Sequence, residues 1–235
     1  MNWQDDAASG ERYLIRDYLP RVLRQPDPVF FDVGANTGAF TTELLARFTG
    51  AKVYAFEPHP QNFAQLTAAG HAPERVRHER IALGRTSGSI TLYDRADHAG
   101  SAHASVFEEV IADIHQQRVT ATEVRVDTLD HVAGQFGVER IDYLKIDTEG
   151  NELAVLEGGA GLLRAGRIGY IHFEFNEMNV VSRVFLRDFR KLLPTHRLHR
   201  LLPHGLLPLG TRSVATEIFA YQNIVAVPNL PWPPR

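Results

Sequence analysis

The segment Phe30-Phe31-Asp32-Val33-Gly34-Ala35-Asn36-Thr37-Gly38, followed by Phe56-Glu57-Pro58, decides the fold. An apolar strand enters a tight glycine turn, a helix follows, and a second strand ends on a carboxylate. Glycine reaches backbone angles and close approaches that a Cβ forbids. Such a turn lets a ligand lie against the backbone and against the N–H groups opening the next helix. Glu57 stands nineteen residues after Gly38, close to the roughly 20 expected of an acid that binds ribose hydroxyls in a nucleotide-binding βαβ unit. The first strand–helix junction is therefore expected to hold a nucleoside-containing cofactor.

The glycine spacing is G-x-x-x-G, with Asp32 two residues ahead of Gly34. A dinucleotide fold needs G-x-G-x-x-G so that the backbone can approach a pyrophosphate. An acid at Asp32 repels a pyrophosphate and suits a cation. S-adenosylmethionine offers the matching groups, an ammonium, a sulfonium and a ribose diol. An ordinary βα turn with Glu57 as a solvated strand-end residue is the plainer alternative.

From Val29 onward strand and helix patterns alternate. Strands are predicted near 29–33, 52–56, 76–83, 141–147 and 169–175, with further extended segments at 88–93 and 122–126. Helices are predicted over 39–48, 60–69, 128–136, 152–165 and 181–193, and a terminal β-hairpin over 196–227. This alternation calls for an α/β fold, a mostly parallel sheet with helices on both faces and an antiparallel hairpin at its C-terminal edge. Ahead of it, residues 1–28 form an N-terminal helical extension to a domain spanning 29–235. Leu14, Ile15, Tyr18, Leu19, Val22 and Leu23 have helical spacing, and Pro20 kinks or divides that helix. Ligands of such sheets sit beyond the carboxyl ends of the strands, where Asp32, Glu57, Asp147 and Glu174 fall.

Bulk properties narrow the function classes. A chain of 235 residues can bury one substantial core. Its 25 basic and 28 acidic residues, net −3, carry no nucleic-acid signature. Without cysteine there is no disulfide, thiolate chemistry or cysteine zinc site. No apolar run reaches the roughly 18 residues of a membrane span, and the start Met1-Asn2-Trp3-Gln4-Asp5-Asp6 lacks a secretory apolar region. A cytoplasmic protein is expected, with the closing hairpin and the N-terminal helix as candidate surfaces for a homodimer.

The second informative block is Ile141-Asp142-Tyr143-Leu144-Lys145-Ile146-Asp147-Thr148-Glu149-Gly150-Asn151-Glu152. Alternation places Leu144 and Ile146 on one face, Lys145 and Asp147 on the other. A lysine in a central strand is costly to bury unpaired, so Lys145 should meet Asp147, Glu149 or Glu174. A structural ion pair without chemical role is the bland reading of the same block.

Together with Ile81-Ala82-Leu83-Gly84 and Val126-Asp127-Thr128-Leu129-Asp130, these motifs make the chain resemble the FkbM family of S-adenosylmethionine-dependent methyltransferases across about residues 29–175. The Lys-Ile-Asp-Thr-Glu-Gly run is the most specific part. The resemblance implies a Rossmann-like class I methyltransferase sheet of seven strands, and O-methylation of a hydroxyl on a sugar or other small metabolite. It implies that Asp32, Gly34, Asn36 and Gly38 wrap the methionine part of the cofactor, that Glu57 binds the ribose, and that Ile81-Ala82 lies against adenine. Glu79-Arg80 departs from the asparagine often found before that aliphatic pair. Ser101-Ala102-His103-Ala104-Ser105 falls where the family has a serine-rich loop, with Ser105 as a candidate.

An alcohol needs a base or metal to become a nucleophile. Asp147 is the first candidate, with Glu174 second and Lys145 beside them as the third catalytic candidate. His172 shares a strand face with Glu174 but reads as a satisfied core histidine. Asp147, Glu149 and Glu174 could also ligate a divalent metal, although no spacing demands one. The histidines His98, His103, His115, His196, His199 and His204 have no zinc-site spacing and read as surface or substrate-loop residues. Residues 94–121 form a long polar stretch suited to a substrate loop. An NAD-dependent oxidoreductase and a non-catalytic binding module that kept the fold are the rival functions.

Overall fold

A computed structural model of the chain describes residues 6–96, 100, 104–210 and 214–233. The stretches 97–99 and 101–103, which include His98, Ser101 and His103, lie outside the described residues.

Five strands build the parallel part of the large sheet: β1 (Val29–Val33), β2 (Lys52–Phe56), β3 (Val76–Glu79), β7 (Ile141–Ile146) and β8 (Ile168–Phe175). Three more, β9 (His196–Leu202), β10 (Gly205–Pro208) and β11 (Gln222–Pro228), close it. The order is β10-β9-β11-β8-β7-β1-β2-β3. β11 runs antiparallel between β8 and β9. The seven implied strands are thus present, and β10 adds an eighth at the edge by hairpin to β9. The predicted tail hairpin is a three-strand arrangement because β11 returns to insert between β8 and β9, placing Tyr221 at the mouth of the sheet.

The predicted strand 76–83 divides. Val76–Glu79 stays in the large sheet, whereas β4 (Ala82–Leu83) joins β5 (Gly88–Arg95) and β6 (Val119–Asp127) in a separate three-stranded sheet of order β4-β6-β5. Asp127 anchors that sheet, accepting from Ser87 Oγ at 2.7 Å, Thr128 N at 2.8 Å and Arg125 at 3.1 Å, and meeting His131 Nδ1 at 2.8 Å. Burial alone would raise its pKa, but these donors outweigh it and hold it down at about 2. The predicted helix over 152–165 is broken into Glu152–Glu157 and Ala160–Arg164, and that over 181–193 forms only at Leu186–Leu192, after a separate short helix at Met178–Val181. The first break falls where Gly158 packs against the Gly84 carbonyl, an approach with no room for a Cβ.

Strand alternation sorts the core onto both faces. Phe31, Val33, Leu144, Ile146, Ile171 and Phe173 pack under Leu129, Val155, Leu163 and Phe189. Phe30, Val53, Tyr143 and Tyr170 pack under Leu44, Leu66 and the N-terminal residues Leu14, Ile15 and Leu19. The N-terminal segment is therefore integral to one layer. Its helical turns run from Asp6 to Val22, with a π-helical turn at Leu14–Tyr18 that gives way to the turn containing Pro20.

At the carboxyl edge the tips of β1 and β7 nearly touch. Asp147 N donates to Val33 O at 2.9 Å, and a Cβ on Gly34, whose φ is +83°, would drive into the Asp147 carbonyl oxygen. Gly34→Ala is expected to cost more than ~4 kcal/mol, the range of severe backbone and packing defects. Thermal and urea unfolding check this; a variant within 1 kcal/mol of the parent, on the order of a surface substitution, would contradict the backbone contact.

Candidate active site

A cavity of about 500 Å³ opens over the tips of β1, β2, β4, β7 and β8, inside the roughly 300–1,000 Å³ range of small-molecule and cofactor sites. Gly34, Asn36, Glu57, Ala82, Asp147 and Glu174 all line it. Asp32, Gly38 and Lys145 do not; they stand behind its wall. Gly38, with φ +89°, starts the helix Ala39–Arg47 and packs against Leu66 and His71. Asp32 is fully buried and accepts from Thr41 Oγ1 at 2.6 Å.

Glu57 clasps the turn. Its Oε2 accepts from Asn36 N at 2.8 Å and its Oε1 from His59 N at 2.8 Å. Asn36 sits at φ +50°, a left-handed conformation that asparagine tolerates better than most residues. Burial pushes Glu57 up to about 7, with the His59 and Asn36 N–H groups opposing. A carboxylate has about four acceptor positions, so both oxygens retain capacity toward a diol. Ile81, Ala82, Leu83 and Leu92 form the apolar wall beside it. Glu79 is turned away and pairs with Arg77 at 2.6 Å; the polar group on this wall is Asn151, whose Nδ2 donates to Leu83 O at 3.0 Å.

Lys145 Nζ lies 3.0 Å from Asp147 Oδ2 and 4.6 Å from the Phe40 ring centroid. Burial opposes its charge, but Asp147, Asp32 and Glu11 outweigh burial and raise it. Of the three carboxylates that could have met Lys145, Asp147 is the one bonded to it. Glu174 instead accepts from Tyr221 OH at 2.8 Å and Asn176 Nδ2 at 3.2 Å. Burial first, then Asp147 and Glu149, raise Glu174 well above the usual carboxylate range. His172 is a core residue: its Nδ1 meets Tyr143 OH at 2.9 Å, its Nε2 meets Asn223 Oδ1 at 2.9 Å, and burial lowers it to about 4. Among the described residues no three His, Asp or Glu side chains converge as a metal-ion cluster.

The loop after Asp147 hangs on Glu152, which no sequence argument singled out. Its Oε1 accepts from Thr148 N at 3.1 Å, Thr148 Oγ1 at 3.1 Å and Gly150 N at 3.0 Å. Glu149 (φ +52°) and Gly150 (φ +105°) make the turn. Ser105, buried and off the cavity, donates to the Glu149 carbonyl at 2.7 Å. Glu11, His115, Asn176, Glu177 and Tyr221 also line the cavity. His115 lies at the cavity wall, while His196 and His199 bond to backbone carbonyls elsewhere.

A profile of the methyltransferase FkbM domain matches residues 32–197. The chain belongs to the FkbM methyltransferase family. It is 26% identical over 196 residues to the 2-O-methyltransferase NoeI of Sinorhizobium fredii, covering 79% of each chain. It is 28% identical over 197 residues to the hexuronic acid methyltransferase AglP of Haloferax volcanii, covering 83% of this chain and 73% of the relative. The solved FkbM methyltransferase of Methylobacillus flagellatus superposes with a TM-score of 0.55 at 13% identity, over 91% of this chain and 47% of that one. This chain spans about half of that solved protein, and the likeness speaks to fold alone. Family membership makes the chain an S-adenosylmethionine-dependent methyltransferase and removes the oxidoreductase reading. No helix of the described residues is long and apolar enough to cross a membrane.

Glu152 is nearly inaccessible, and its Oε2 has no partner among the described residues. Burial pushes it up to about 7 from 4.5, against the backbone N–H groups of Glu152, Gly150 and Thr148. A raised carboxyl favours folding most when protonated, so this contribution is complete below pH 4.5 and disappears as pH rises through 7. Chemical denaturation across this window should show the parent losing on the order of 3 kcal/mol relative to Glu152→Gln, at 1.36 kcal/mol per unit. A flat difference curve would contradict the assignment.

Proposed function

We propose that the chain transfers a methyl group from S-adenosylmethionine to a hydroxyl of a sugar or other small polyol, with Asp147 as the base. The observation that carries this reading is one cavity in which Glu57 and Asp147 stand at the tips of β2 and β7, on either side of β1 and its Gly34 turn.

The cavity fits the cofactor. The Gly34 position leaves no space for a Cβ and brings backbone to the wall. Glu57 has acceptor capacity for a ribose diol, and Ile81 to Leu83 offer an apolar face for a purine. Gly34 and Asn36 line the part between Glu57 and Asp147, suited to the methionine portion. Asp32 and Gly38 act from behind, Asp32 as a countercharge to Lys145 and Gly38 as the start of the helix. When bound, S-adenosylmethionine supplies an electrophilic methyl group.

The chain's own task is to orient the hydroxyl and accept its proton. Asp147 Oδ2 is engaged by Lys145, which leaves Oδ1 to take the proton of the acceptor. Lys145 holds the Asp147 carboxyl in place. Glu174, held by Tyr221 and Asn176, is suited to hydrogen-bond a neighbouring oxygen of the acceptor. Holding reactants in register is worth roughly 7–11 kcal/mol in favourable cases, so rigid placement of these groups accounts for much of what the protein contributes. The 2-O position in NoeI's name supports a hydroxyl as acceptor, and the hexuronic acid in AglP's name supports a sugar.

Titration calorimetry with S-adenosylhomocysteine should show Glu57→Ala binding more than tenfold more weakly, about 1.4 kcal/mol; unchanged affinity would remove Glu57 from the ribose. Asp147→Asn should keep cofactor affinity within a few-fold and abolish transfer of labelled methyl to the acceptor. Full turnover in that variant would move the base elsewhere.

A further inference from the structure

One end of the cavity is shared between two sheets. Glu57 follows β2 of the large sheet, while Ala82 and Leu83 in β4 and Leu92 in β5 belong to the three-stranded sheet. Two residues beyond Glu57 and two beyond Leu92, the sheets meet: His59 Nε2 lies 3.4 Å from Asp94 Oδ2, with both side chains buried. Period-two alternation puts Leu92 and Asp94 on one face of β5, and both are buried. His59 is fixed from its other side. Its N–H donates to Glu57 Oε1 at 2.8 Å, and its Nδ1 accepts from Gln61 N at 3.3 Å, capping the helix Pro60–Ala68. With Nδ1 accepting, the proton of the neutral ring stands on Nε2, toward Asp94. Burial lowers His59, with Asp94 opposing. Asp94 also holds a third segment: its Oδ2 accepts from Gly100 N at 2.6 Å and its Oδ1 from Arg95 N at 2.7 Å. Gly100 rests on the cavity residue Asn62 so closely that a Cβ at Gly100 would lie 2.7 Å from Asn62 Oδ1.

We propose that His59 and Asp94 are positioning residues for the cofactor: their buried contact sets the width of the slot between the Glu57 carboxyl and the apolar wall of Ala82, Leu83 and Leu92. The inference rests on the methyltransferase reading of the cavity. Neither residue lines the cavity, so both act through their neighbours. The chain passes from β3 to β4 through Arg80 and Ile81, which ties the two sheets at β4. β5 is separated from β4 by β6, and the His59–Asp94 contact pins that far strand to the large sheet. A displacement of His59 reaches Glu57 through the His59 N–H, and a displacement of Asp94 reaches Leu92 along the same strand face. A binding site works when its groups are held within about 0.5 Å of the productive geometry. Two buried polar side chains are suited to that task, because each is costly to leave without its partner.

The test uses the full chain, with S-adenosylhomocysteine as ligand and methylthioadenosine, which lacks the amino-acid end, as its competitor. His59→Asn keeps an oxygen where Nδ1 accepts from Gln61 N, so the helix cap survives, but it is too short to reach Asp94. Calorimetry well below each unfolding midpoint is expected to show both ligands bound roughly tenfold more weakly by His59→Asn and by Asp94→Ala. The double variant is expected to lose no more than about twofold beyond either single, as groups in contact do. A role in stability alone leaves affinity at the parental value, because binding is read on folded protein. Parental affinity in His59→Asn, or a double variant that loses the product of the two single losses, overturns the proposal. A loss that spares methylthioadenosine overturns it as well, since the effect then lies at the amino-acid end. The same holds if methylthioadenosine does not compete in the parent, because the adenosyl end then supplies no affinity to position. If Asp94→Ala does not fold, His59→Asn decides. A parent that binds neither ligand removes the methyltransferase reading, whereas parental binding retained in the variants removes this inference alone.

Discussion

An ammonium buried at the centre of the sheet governs the site. Lys145 lies on the strand between β1 and β8, opposite Asp32 in register, and is buried. Breaking a buried ion pair typically costs on the order of 3–5 kcal/mol, so its partners are held firmly. Asp147 meets it directly, Asp32 and Glu11 flank it, and the Phe40 ring covers it. Asp147 is thereby fixed in place at the strand tip. The N-terminal segment is tied to the same point, because Glu11 lies beside Lys145 while Leu14, Ile15 and Leu19 are in the core.

The second constraint is backbone proximity. Gly34 lets the tips of β1 and β7 converge, and Glu57 ties the following turn to the end of β2 through Asn36. The Glu152 carboxyl does the same for the loop after β7. Two loops are held by buried carboxylates accepting backbone N–H groups. The same burial that makes them effective anchors raises their pKa toward neutrality, a pattern found at functional sites.

Much of this was legible in the sequence because it is local. The G-x-x-x-G turn, the acid ending β2 and the alternation of Leu144, Lys145, Ile146 and Asp147 each lie within a few residues, and β1 and β2 have the predicted bounds. Asp32 shows the limit. Its position beside the turn suggested a ligand-facing acid, but strand alternation turns it into the layer beneath, toward Thr41 and Lys145. Strand 76–83 read as continuous because nothing in its composition marks the change of sheet after Glu79. Glu11 and Tyr221 were out of reach altogether. They enter one cavity from opposite ends of the chain, and only tertiary packing, with β11 inserted between β8 and β9, brings them together.

The structure of the complex with S-adenosylhomocysteine tests the central claim most directly. Its ribose hydroxyls should lie within hydrogen-bonding distance of Glu57, its adenine against Ile81 to Leu83, and its sulfur on the Asp147 side of Gly34. Adenosine bound at any other surface, or a ribose held by a group other than Glu57, would contradict the account.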